Sequence, residues 1–196
     1  MTTEQGEREL KSIEQRGLYF EELEEGVVYL HRPGRTVTEA DNVLFTTLTM
    51  NTQSLHLDTA WSEGTEFGER LVNSMFTLST LVGLSVSQLT LGTIVANLGF
   101  GEVSFPAPVR VGDTLYAETR IVSKRVSTSR PGQGIVGFAH TMRNQRDEVV
   151  ALATRHTLML CGPAVSDGGA PDACTADSGT PHPSTPDVGT AAGAGA

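Results

Sequence analysis

With 196 residues the chain is long enough for one well-buried domain and short for two. Its 14 basic side chains stand against 23 acidic ones, a net charge of −9, and no basic cluster is left over for a phosphate backbone, which excludes nucleic acid as a partner. The two cysteines, Cys161 and Cys174, have neither CxxC spacing nor a histidine cluster, so they are expected to be free thiols in a reducing cytoplasm, with no metal site.

Residues 1–16 hold no apolar stretch that could serve as a secretory signal, and are expected to be an exposed leader with some helix. A strand is predicted over 27–37, interrupted at Pro33-Gly34. A helix follows over 38–50: Thr38 is its N-cap, and Glu39 and Asp41 lie in the first turn, where the helix dipole favours acids. Val43, Leu44, Leu48 and Phe45 are its expected buried stripe. The stretch TMNTQSLHLD (49–58), with Asn51, His56 and Asp58, therefore lies where a helix ends. Asn51 in that place suits either a helix end or a catalytic role, and Asp58 suits closure of the turn after His56.

The run at 71–92 reaches the length of a membrane span, but its serines, threonines, Asn73 and Gln88 are too polar for lipid. Apolar positions surround most of its circumference, which predicts a central helix buried within protein. Three long runs then alternate or are rich in β-branched residues, at 113–126, 134–145 and 148–160, with turn-like links at 130–134 and 144–148. They read as an antiparallel meander. His31, His140 and His156 show no partner spacing, and the latter two are expected to face solvent or to pack at the sheet. The link RPGQG lacks the lysine and spacing of a phosphate loop. From Gly162 to Ala196 there are seven Gly and five Pro among 35 residues and no Leu, Ile, Phe, Met, Tyr or Trp. Such a segment cannot offset its chain entropy and is expected to be a disordered tail. One buried helix and an antiparallel sheet long enough to curl around it predict the α+β class with a hotdog architecture, over residues 17–161. An exposed edge strand in such a sheet predicts a homodimer.

Three stretches carry a resemblance. RTVTEADNVLFTTLTMNTQSLHLD (35–58), GERLVNSMFTLSTLVGL (68–84) and FPAPVRVGDTLYAETRIVSKR (105–125) are similar to the corresponding segments of MaoC-like dehydratases. The resemblance implies reversible hydration of a trans-2-enoyl-CoA, with no metal or redox cofactor and with CoA only as part of the substrate. By position, His56 matches the family histidine, Asn51 falls on the family aspartate, and Ser74 falls on the glycine whose backbone N–H holds the thioester oxygen. Asn51 can orient water but cannot take its proton, which leaves His56 as the sole general base. The stretch 124–150 is most similar to mesaconyl-CoA hydratases, β-methylmalyl-CoA dehydratases and related itaconyl-CoA enzymes, which implies a branched or carboxylate-bearing acyl group. An arginine suits that carboxylate, and Arg130 and Arg35 are the candidates, with Arg110 behind them and Asn73 as a further substrate-binding residue. Two other functions stay open. One is a hotdog thioesterase using Glu63, Glu66 or Glu69, and the other is a non-catalytic acyl-CoA-binding subunit.

Overall fold

The computed structural model describes Leu10 and residues 12–163. The expected leader falls partly, and the tail almost wholly, outside the described residues; residues 12–16 carry no helix. After a single 3-10 turn at Phe20–Glu22 come β1 (Val28–Thr36), α1 (Glu39–Leu48), α2 (Ser54–Leu57) and α3 (Thr59–Glu63). α4 (Ser74–Ser85) runs on into a π-helical turn at Val86–Thr90, and β2 (Ile94–Ser104), β3 (Thr114–Val126), β4 (Gln133–Arg143) and β5 (Val149–Leu160) complete the described residues.

All five strands form one antiparallel sheet in the order β1-β3-β4-β5-β2, and α4 packs across β1, β3, β4 and β5. This is the predicted hotdog arrangement. The β3–β4–β5 meander lies where the alternation put it, and β1 breaks register between His31 and Arg35, across Pro33-Gly34. β2 was not foreseen. Gly99 and Gly101 interrupt its apolar pattern, it pairs with β5 through three register shifts, and it closes one edge of the sheet.

The inward side chains form two apolar clusters. One holds Phe76 and Leu81 of α4 with Leu115, Met142 and Val150; the other gathers Phe20, Leu23, Ile121, Phe138 and Met159 around Leu89. Between them the sheet is polar. Thr119 lies between Ala117 and Ile121 on β3, His140 between Phe138 and Met142 on β4, and Arg155 two residues beyond Ala153 on β5, all buried. Neither His31 nor His140 faces solvent, while His156 does.

α1 inverts its expected stripe. Leu44 is 61% and Leu48 73% exposed, whereas Asn42 and Thr46 are fully buried. Hydropathy assigns the leucines inward, but the inner side of α1 faces backbone groups that need hydrogen-bond partners. The cysteine expectation also fails, since Cys161 is disulfide-bonded. The inference of a reducing compartment loses that support; Cys174 lies outside the described residues. No described helix is long and apolar enough to cross a membrane.

Candidate functional site

α1 begins with a capping box. Thr38 Oγ1 accepts from the Asp41 N–H, and Asp41 accepts from the Thr38 N–H at 2.9 Å. At the other end, Met50 takes a left-handed conformation with φ of 54° and turns the chain back. The Asn51 N–H then donates to the Thr46 carbonyl at 3.0 Å, and Asn51 Oδ1 accepts from the Gln53 N–H at 3.1 Å. This is a helix-end arrangement that leaves the Asn51 NH2 as its uncommitted polar group. Asp58 caps α3 by accepting from the Trp61 N–H at 3.0 Å, the turn-closing role expected for it.

His56 is half-buried on α2. Its Nδ1 lies 2.9 Å from the Leu71 carbonyl oxygen. A carbonyl only accepts, so Nδ1 carries the proton, and in the neutral ring Nε2 is left with its lone pair outward. Leu71 is pinned in turn: its N–H donates to the Leu55 carbonyl at 3.0 Å, and it forms an antiparallel bridge with Arg110.

Two residues on, Asn73 caps α4. Its Oδ1 accepts from the Met75 N–H at 2.9 Å, its Nδ2 donates to Thr46 Oγ1 at 3.4 Å, and its own N–H donates to Asn42 Oδ1 at 3.0 Å. With its side chain so engaged and buried, Asn73 is a cap and not the substrate contact expected of it. Ser74 is the first residue of α4 and exposed. Its N–H belongs to the group of helix-start donors that a helix leaves unpaired, where the dipole favours negative charge. His56, Leu71 and Ser74 are thus brought together around one turn of chain.

The arginines divide. Arg35 is ion-paired with Asp41, and its guanidinium carbon lies 5.8 Å from the centroid of the Phe76 ring in the first turn of α4. Arg130 lies in the β3–β4 hairpin, whereas Arg110 and Leu71 lie near the opposite end of β3, whose 13 residues span on the order of 40 Å. A single protomer does not bring Arg130 to His56. Arg110 is ion-paired with Glu69, beside a cleft lined by Ala107, Pro108, Arg146 and Glu148. That pairing occupies one of the three glutamates considered for thioester hydrolysis. Glu63 and Glu66 are exposed.

Missing from the sequence reading were Leu71, whose carbonyl orients the imidazole, and Asn42. The available signal for Asn42 was its spacing from Thr46, two neutral polar positions four apart on one face of the helix.

With fold and geometry in place, comparison with known proteins is direct. Residues 22–143 match the model of the MaoC like domain, and the chain belongs to that family. It is 30% identical over 135 residues to beta-methylmalyl-CoA dehydratase of Chloroflexus aurantiacus, covering 68% of this chain and 38% of that protein. To mesaconyl-CoA hydratase of Haloarcula marismortui it is 29% identical over 159 residues, covering 80% of this chain and 44% of the other. The chain therefore spans less than half the length of these curated relatives. Among solved structures, the monoamine oxidase regulatory protein of Archaeoglobus fulgidus superposes with a TM-score of 0.68 at 31% identity, covering 77% of this chain and all of that one. A Mycobacterium tuberculosis protein described as having a double hotdog fold superposes with the same TM-score at 26% identity, over 84% of this chain and 52% of its own.

Proposed function

We propose that this chain catalyses the reversible hydration of a short-chain enoyl-CoA to the 3-hydroxyacyl-CoA, acting as a hydro-lyase. The observation that carries the reading is the His56 ring, anchored by Nδ1 on the Leu71 carbonyl so that Nε2 is free to act as base beside the start of α4. In the forward direction, Nε2 takes a proton from water as the oxygen bonds to the β carbon. The π electrons move toward the thioester, whose oxygen becomes negative and is held by the Ser74 N–H at the helix N-terminus. The proton then passes to the α carbon, and the reverse sequence expels water. Asn51, whose Oδ1 is taken by Gln53, holds the water through its NH2 donor. No resident cofactor enters these steps.

The finer reading is a branched or carboxylate-bearing acyl group of the mesaconyl or itaconyl kind. Support comes from the names of the relatives and from Arg35, the cation placed beside Phe76. Arg130 joins the site only if a second protomer supplies it. A homodimer is the matching assembly: edge strand β2 exposes Val95, Leu98 and Phe100, and the relatives are about twice as long. Such an edge is stabilised by pairing with another edge.

The test is hydration of crotonyl, mesaconyl, itaconyl and methylcrotonyl thioesters, followed by loss of enoyl absorbance, with free thiol measured in parallel. Absorbance loss without thiol release is expected. Thiol release from a saturated acyl-CoA would replace this reading with thioester hydrolysis, and tight CoA binding without turnover would replace it with a binding subunit.

A further inference from the structure

Asn42 lies on α1, fourteen residues before His56, and its side chain is completely buried, so it cannot touch a substrate. Its amide nevertheless meets three backbone groups around the site. Nδ2 donates to the His56 carbonyl and to the Leu71 carbonyl, both at 3.2 Å, and Oδ1 accepts from the Asn73 N–H at 3.0 Å. Both amide hydrogens are used, and the orientation of the amide is dictated by its surroundings: turned over, it would set an oxygen against two carbonyls and an NH2 against an N–H.

Those three partners are the backbone of the general base, the acceptor that orients its ring, and the residue that caps α4. We propose that Asn42 is a positioning residue that fixes the His56 imidazole relative to the start of α4 and selects its tautomer; the proposal rests on the hydratase reading of His56. The Leu71 oxygen receives two donors, Asn42 Nδ2 and His56 Nδ1, which occupy both of its lone pairs. Its direction is therefore set by Asn42 as well as by its own chain. Once Asn42 lets it swing, Nδ1–H loses its acceptor and the proton moves to Nε2, the preferred site for an imidazole in water. The nitrogen that should accept a proton from the nucleophile then carries one already. Thr46, one turn along the same face, holds the Asn73 side chain and the Asn51 N–H, so α1 works as a rail beneath the site.

The experiment compares Asn42→Asp with His56→Ala in the full chain, using crotonyl-CoA hydration and 15N spectra of histidine-labelled protein. Asn42→Asp keeps the acceptor for Asn73 and loses the paired donors. It is expected to lower kcat roughly 10- to 100-fold, the size that a misplacement of about 1 Å produces, with KM changed by less than about threefold. The loss should be smallest at acid pH, where the introduced carboxyl is protonated and still donates one hydrogen bond, and should deepen as pH rises, an alkaline limb absent from the wild type. In the spectra, wild-type His56 should show protonated Nδ1 and bare Nε2, and the variant a mixture. Wild-type kcat and pH profile in Asn42→Asp, with His56→Ala inactive, would overturn the positioning role and leave the hydratase reading intact. Full activity in His56→Ala would overturn the reading itself. A wild-type spectrum with the His56 proton on Nε2 overturns the proposal whether or not any variant folds.

Discussion

Two polar networks in this molecule treat histidine in opposite ways. Around His56 one ring nitrogen is bound to a backbone carbonyl and the other is left open. Across the sheet beneath α4, both nitrogens of both rings are committed. Arg155 Nε–H donates to His140 Nε2 at 2.9 Å, which puts the His140 proton on Nδ1, 2.7 Å from Thr119 Oγ1. The Thr119 hydroxyl must then donate to His31 Nε2 at 2.7 Å, and His31 Nδ1–H donates to Gln88 Oε1 at 2.8 Å. Every proton in the row has one place, and each link fixes the next. Burial pushes His140 down to about 3, aided by the positive charge of Arg155, and burial also lowers His31 against the opposing hydrogen bond from Gln88. A histidine with a free nitrogen can move protons. One that is bonded on both sides and desolvated is a neutral strut.

The contrast is tested most severely at His56. His56→Ala should lower hydration about 100- to 10,000-fold, the usual contribution of a general base, with thermal unfolding nearly unchanged. Steady-state rates beside a thermal melt read both, and a large drop in melting temperature would make the residue a strut instead. Thr119→Val should do the reverse. It strands His140 Nδ1–H and His31 Nε2, each at roughly 1–3 kcal/mol, so stability should fall by about 2–6 kcal/mol while turnover per folded molecule stays constant. Denaturant unfolding with matched activity assays checks this.

The pH dependence of stability follows from the same row. Both histidines are depressed in the folded state, so below about pH 6.5 the unfolded chain binds protons that the folded chain refuses, and stability falls with pH. For His140 the fall continues toward its folded value near 3, at up to about 1.4 kcal/mol per pH unit. Between pH 5 and 6.5, where carboxylates contribute little, His140→Phe should show a correspondingly shallower slope in denaturant melts; an unchanged slope would mean that the ring is protonated when folded. The smallest effects concern the acyl carboxylate. Arg35→Gln should reduce mesaconyl-CoA relative to crotonyl-CoA turnover by about 10-fold or more, the worth of a charge-assisted hydrogen bond, and Arg130→Gln by about twofold, as for an exposed charge. A larger effect at Arg130 would place a second protomer's hairpin in the site.

Periodicity revealed α4 and the meander because their burial is apolar and regular. Polar burial was legible only where alternation is strict. On β5, alternation places Ala151, Ala153, Arg155, Thr157 and Met159 on one side, and all five are buried, so parity pointed to Arg155; on α1 it gave no such signal. There hydropathy exchanged the leucines for Asn42 and Thr46. The motif around His56 was legible as a resemblance, but the carbonyl that orients its ring was not, because a backbone oxygen has no letter in a sequence. Asn73 was misassigned for a related reason: the residue next to a helix start serves the helix before it serves a ligand.

Arg155 has a thermal consequence. Its guanidinium is buried with no carboxylate partner among the described residues, Nη2 has no hydrogen bond there, and its pKa, lowered by burial to about 10, still leaves it cationic at neutral pH. Hydration of an ion weakens on heating, so the penalty for hiding this cation shrinks as temperature rises. The interior is therefore least comfortable in the cold, and Arg155→Met, which also strands His140 Nε2, should cost the fold less near freezing than near its melting point.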